Sequence, residues 1–146
     1  MSTFKHFEEI EAWKLARAFA KQVYVNSARA IGPRDFSLQD QMRRSAVSIM
    51  ANIAEGFERN GTKEFIQFLS VAKGSAGELR SHFYVAYDLG YFDKALFLSL
   101  SSQASMIGSK IGGLIQYLRT SAFQGSKFQH SRQTVQANSK HVTRNS

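Results

Sequence analysis

Apolar residues recur along this chain at intervals of three and four, and no stretch alternates in the manner of a strand. Stepped at 100° per residue, Leu38, Met42, Ala46, Ile49, Ile53 and Phe57 fall on one side of a helix. Val47, Met50 and Ala54 lie beside them and widen the apolar surface to about half the helix, more than a surface helix needs. Such a helix expects several neighbours. Opposite, Arg44, Ser48, Asn52 and Glu55 form a polar ridge at spacings of 4, 4 and 3.

The same period predicts three further helices. Phe7, Ile10, Trp13, Ala16, Ala20, Val23 and Tyr24 place the first from Phe7 to about Ala30, ended by Gly32-Pro33. Asp35 or Ser37 caps the second, which runs from Leu38 to about Arg59 before Asn60-Gly61. Thr62 caps the third, Lys63 to about Leu89, with Phe65, Phe68, Leu69, Ala72, Leu79, Phe83 and Ala86 inward and Gly90 as its left-handed stop. Asp93 caps the fourth, Lys94 to about Arg119, whose seam is Leu100, Ala104, Ile107, Ile111, Leu114 and Leu118. Short connections between four helices predict an all-α, antiparallel up-and-down four-helix bundle over residues 1–119. Residues 120–146 are rich in Ser, Gln, Asn and Lys without apolar period and read as a disordered basic tail.

Composition narrows the class. With 146 residues the chain supports one domain with a real core. It has no cysteine, which removes disulfides, thiolate metal sites and cysteine nucleophiles and fits a reducing cytoplasm. No apolar run reaches the roughly 20 residues of a membrane span. The start of the chain, with Glu8, Glu9 and Glu11 close behind Lys5, does not read as a secretory signal.

Charge adds a second signal. The formal net charge is +8, yet residues 1–93 are almost neutral, and residues 94–146 hold seven Lys/Arg and no acid. Lys94, Lys110, Arg119, Lys127, Arg132, Lys140 and Arg144 are therefore the candidate contacts for an anionic partner, of which nucleic acid is the commonest. A solubilising surface is the competing reading.

Other chemistry is sparse. The ridge of Arg44, Ser48, Asn52 and Glu55 reads as a hydrogen-bonded network at a helix or subunit interface. Glu55 and Glu78 are the candidate partners of Arg44, because a buried arginine must be paired. Gly74-Ser75-Ala76-Gly77 lacks the spacing of a phosphate-binding loop and reads as close helix packing. Gly108, Gly112 and Gly113 imply either a near neighbour or a break in the fourth helix. The histidines are scattered, and neither a metalloprotease His pair nor a Glu-x-x-His ligand pair is present. No serine sits in a nucleophile elbow. We expect no catalytic residue, cofactor, metal or small-molecule substrate.

Several motifs together carry a resemblance. They are Phe7-Glu8-x-Ile10-x-x-Trp13-x-x-Ala16-Arg17, Gln41-Met42-Arg43-Arg44-x-Ala46-Val47-Ser48-Ile49, Asn52-Ile53-Ala54-Glu55-Gly56, Glu64-Phe65-x-x-Phe68-Leu69-x-x-Ala72-x-Gly74-Ser75, Glu78-Leu79 and Asp88-Leu89-Gly90-Tyr91. Over residues 7–119 the chain resembles the bacterial four-helix-bundle proteins encoded in intervening sequences of 23S rRNA genes. The accessory variability proteins of diversity-generating retroelements are similar to that family. The resemblance implies a barrel-like homopentamer and a nucleic-acid-binding or reverse-transcriptase-associated role. The family often has proline where this chain has Met50. The expected partners are thus further copies of the chain, nucleic acid (RNA before DNA) and a reverse transcriptase, with no membrane. The alternative is a protein–protein adaptor whose charge serves solubility.

Overall fold

The computed structural model describes the backbone of residues 4–144 and the side chains of residues 4–121. It is all-α among the described residues. Four helices follow one another: α1 (Glu11–Ala30), α2 (Phe36–Glu58), α3 (Thr62–Asp88) and α4 (Lys94–Arg144). Each packs against the next, and α1 also meets α4.

Local chemistry sets the helix ends, and several differ from the periodic pattern. Phe7–Glu9 is a separate 3-10 turn, and Ile10 is extended (φ −73°, ψ 121°), so α1 starts at Glu11 rather than Phe7. Ile10 is buried in the core, as its place in the apolar stripe predicts, although its backbone is extended rather than helical. Asp35, not Ser37, caps α2, its carboxylate accepting the Leu38 N–H at 3.1 Å. Gly61, not Thr62, precedes α3, without a side-chain cap. Asn60 (φ 63°) supplies the left-handed turn between α2 and α3.

The end of α3 is a Schellman motif. Tyr91 N–H reaches back to the Ala86 carbonyl at 2.8 Å and Gly90 N–H to that of Tyr87 at 3.0 Å. That geometry needs φ 77° at Gly90, which a β-carbon disfavours. Asp93 then caps α4 through the Leu96 N–H at 2.8 Å.

α4 differs most from expectation. The sequence reading ends it near Arg119 with a disordered tail beyond, whereas the backbone stays helical to Arg144. No proline interrupts the segment, and an established helix gains a hydrogen bond with each added residue. The helix also runs without a break through Gly112-Gly113, and α2 runs unbroken through Met50.

The core follows the stripes. Met42, Ile49 and Ile53 from α2, Leu69, Ala72, Leu79 and Phe83 from α3, and Ala104 and Ile111 from α4 are sealed from solvent. Phe19 of α1 meets Phe83 edge-on at 6.3 Å, and Phe57 meets Phe65 at 5.9 Å. Aromatic pairs at this geometry add to the burial of their area.

Glycine roles separate cleanly. A β-carbon at Gly56 would lie 2.5 Å from Cβ of Phe68, so α2 and α3 touch there at a distance only glycine permits. At Gly74 and Gly77 an added β-carbon would meet nothing within 4 Å. The Gly74–Gly77 segment therefore packs through Ser75 and Ala76, and its glycines face outward, contrary to the close-packing expectation.

Gly56→Ala should lower stability by about 1–3 kcal/mol through overpacking. Gly113→Ala, with open space around it, should raise stability by about 0.5–1 kcal/mol. Chemical denaturation of both variants checks the pair, and a stabilised Gly56→Ala would contradict the contact.

Candidate nucleic-acid interface

The polar ridge of α2 divides into two parts. Ser48 Oγ lies 2.8 Å from Ser75 Oγ of α3, and Asn52 Nδ2 donates to both the Ser48 carbonyl (2.8 Å) and its Oγ (2.9 Å). Ser75 is buried, and the other two are half-buried. These three side chains form a hydrogen-bonded link between α2 and α3.

The charged members do not join it. Arg44 is 80% exposed and pairs with Asp40 one turn back at 2.8 Å, not with Glu55 or Glu78. Its hydrogen bond to Asp40, and then the carboxylate's charge, raise its pKa further. Glu55 pairs with Arg59 at 3.0 Å and Glu78 with His82 at 3.4 Å, each within its own helix. Sequence spacing aligned these charges on a ridge. Neighbours one turn away satisfy them at less conformational cost than a partner across the helix pair.

The candidate cations of α4 do not converge either. Lys94 is exposed at the start of the helix. Lys110 reaches Glu11 of α1 at 3.2 Å, so its charge is partly compensated on that flank. Arg119 lies on the other flank, in a groove of about 540 Å³ between α3 and α4, lined also by Ser70, Lys73, Gly74, Gly112 and Gln116. The side chains of Lys127, Arg132, Lys140 and Arg144 lie outside the described residues.

Lys73 is the site residue that sequence reasoning missed. Its ammonium lies across the groove, 3.5 Å from where a Gly112 β-carbon would stand. The end of the exposed Lys73 side chain thus lies against α4 at Gly112. The available signal was a cation on the α3 flank opposite Gly112, which becomes visible only once the register of α3 against α4 is known. Among the described residues neither Lys73 nor Arg119 makes an ion pair. Two unpaired cations at the mouth of one groove suit a phosphate better than a neutral ligand.

A second polar cluster also escaped the sequence. Gln39 is buried beside Arg43, which lies over the Tyr24 ring at 4.7 Å. With its amide turned to satisfy its neighbours, Gln39 donates to the Gly32 carbonyl at 3.1 Å and accepts from Arg43 Nη2 at 2.7 Å. This cluster ties α2 to the end of α1 and is structural. No set of three or more metal-ligating side chains gathers among the described residues. No helix among them is long and apolar enough to cross a membrane.

Residues 8–113 match the family model described as 23S rRNA-intervening sequence protein, and the chain belongs to that family. Its fold is similar to that of a crystal structure of a protein of unknown function from the S23 ribosomal protein family of Bacteroides thetaiotaomicron. The two share 21% identity and a TM-score of 0.67, over 72% of this chain and 95% of that one. No curated protein matches the chain.

Ser75→Ala should cost about 1 kcal/mol by removing the α2–α3 hydrogen bond, while Arg44→Ala should leave the unfolding midpoint of the isolated fold unchanged. Thermal and chemical denaturation of the two variants make the comparison. Equal losses would mean that the ridge acts as one unit.

Proposed function

We propose that this member of the 23S rRNA-intervening sequence protein family is a non-catalytic, self-associating helical protein that binds nucleic acid, RNA before DNA, mainly through electrostatics. The observation that carries the reading is the absence of any acid after Asp93, combined with Lys73 and Arg119 lining one α3/α4 groove without an ion pair among the described residues. The family's description supports an RNA-related role. Contacts of this kind hold phosphates and carry no base code, so sequence preference is weak.

Self-association finds support on the outer surface of α2 and α3. Val71 and Val85 of α3 expose 53% and 43% of their area and share a helix face with Glu78, while Arg44 and Glu55 are exposed on α2. Apolar area interleaved with charges of both signs suits a contact between copies, and the homopentamer implied by the family resemblance is the expected assembly.

Binding to labelled single-stranded RNA and duplex DNA, measured by fluorescence anisotropy on protein freed of co-purified nucleic acid, tests the function. We expect tight association at low salt and a steep linear fall of log affinity with log salt. No binding at low salt would remove the reading and leave the protein-adaptor alternative. In analytical ultracentrifugation the parent should sediment as a multiple of its 16.4 kDa mass. Val71→Asp should shift it towards the monomer, and a monomeric parent would refute self-association.

A further inference from the structure

The α3/α4 groove has a second end with different chemistry. Stepping along α3, Lys73, Gly77, Arg80, Tyr84 and Tyr87 fall within a sector about 80° wide. Contacts fix this sector on the flank towards α4: Lys73 lies beside Gly112, and Tyr84 and Tyr87 lie against Phe97 at 4.8 and 4.9 Å. The register shows that α3 and α4 run past each other in opposite directions. Cations therefore occupy one end of the flank and aromatic rings the other, about 16–21 Å apart along the axis.

Three features bear on what this flank can hold. Phe97 is 8% exposed and acts as a buried base, with Tyr84 edge-on to it (65°) and Tyr87 nearly parallel (24°). The tyrosines themselves expose 53% and 40% of their area. They are thus held by packing while much of each remains open to solvent. Finally, no carboxylate enters the sector between Lys73 and Tyr87. Glu78 lies about 140° around the helix from Lys73 and is engaged with His82, and α4 is acid-free.

Unpaired cations followed by exposed aromatic rings match a single polynucleotide strand. Its phosphates take the cations, and its bases, unlike those of a duplex, can offer their faces to the rings. We propose that the α3/α4 groove is a track for single-stranded RNA, with phosphates held by Lys73, Arg80 and Arg119 and bases stacked on Tyr84 and Tyr87. The proposal rests on the nucleic-acid reading above and assigns it a site and a strand form. The A-form helix of duplex RNA covers the faces of its bases and gains only the electrostatic part.

The test uses the full-length protein, an unstructured labelled RNA oligonucleotide and the same sequence annealed to its complement. Tyr84→Leu/Tyr87→Leu keeps apolar cover over Phe97 and removes the rings, and circular dichroism verifies its fold. It should lose roughly thirtyfold or more in affinity for the single strand, two stacked bases being removed, with duplex binding unchanged. Lys73→Gln/Arg119→Gln should reduce the slope of log affinity against log salt by about 1–2. Lys21→Gln, on exposed α1 away from the groove, should alter affinity by less than about twofold, as one peripheral charge in a screened field. Groove variants that bind like a parent which itself binds RNA would overturn the track while leaving the general function standing. A parent that binds no nucleic acid at low salt overturns both. If the tyrosine variant changes the sedimenting mass and not the RNA affinity, the flank is a contact between copies of the chain and the track is refuted.

Discussion

The close approach of α3 to α2 is the constraint on which the rest of this structure depends. On one side Gly56 of α2 sits where any β-carbon would collide with Phe68. On the other, Gly108 of α4 packs at ordinary contact distance, with Cβ of Ala76 3.9 Å from its β-carbon position. Along the inward face of α3, Leu69, Ala72, Leu79, Phe83 and Ala86 lose all exposure. Small residues at the crossings let larger ones interdigitate above and below, which is how a core reaches crystal-like density. The α2–α3 approach also brings Ser48 within hydrogen-bond distance of Ser75, and the α3–α4 approach lets Lys73 lie across Gly112.

Charge is organised by the same frame. Cations one turn from an acid are engaged locally, as Arg44 is with Asp40 and Arg59 with Glu55. Lys110 finds its acid on α1 because that flank of α4 faces Glu11. On the flank towards α3, Lys73 and Arg119 make no ion pair among the described residues. A field made by unpaired cations is felt by an approaching polyanion, whereas a paired cation is largely cancelled within a Debye length. The distinction matters more than the formal charge of +8.

Much of the fold was legible in advance. Most buried positions of the four helices follow from the three-and-four spacing, because burial on one side of a helix leaves that period in the sequence, although Tyr24 and Val47, which the spacing placed with the apolar face, are 42% and 40% exposed. Gly32-Pro33, Asn60-Gly61 and Gly90 mark the breaks between helices because their backbone preferences are local. The misplaced starts of α1 and α3, and the extent of α4, concern helix ends and a polar segment, where periodicity carries little information. The site was less legible. Arg119 was visible as part of an acid-free stretch, but Lys73 and Arg80 belong to the nearly neutral part of the chain and carried no compositional signal. The charged ridge of Arg44, Glu55 and Glu78 was misread because spacing shows which residues share a face and not which neighbour reaches them first.

By itself the sequence determined the all-α class, the number of helices over residues 1–119, their inward faces and the accumulation of positive charge after Asp93. These are properties of a single helix or of a sum over residues, and they need no knowledge of neighbours. Only the tertiary structure decided which flanks meet: that Lys73 crosses to Gly112, that Tyr84 and Tyr87 rest on Phe97, and that Lys110 is spent on Glu11. The reason is register. A shift of one turn between α3 and α4 would leave both hydrophobic stripes buried, yet it would move every flanking pair by about 5.4 Å. Between α2 and α3 the fit of Gly56 against Phe68 constrains the register, a matter of shape that appears only when the helices are together.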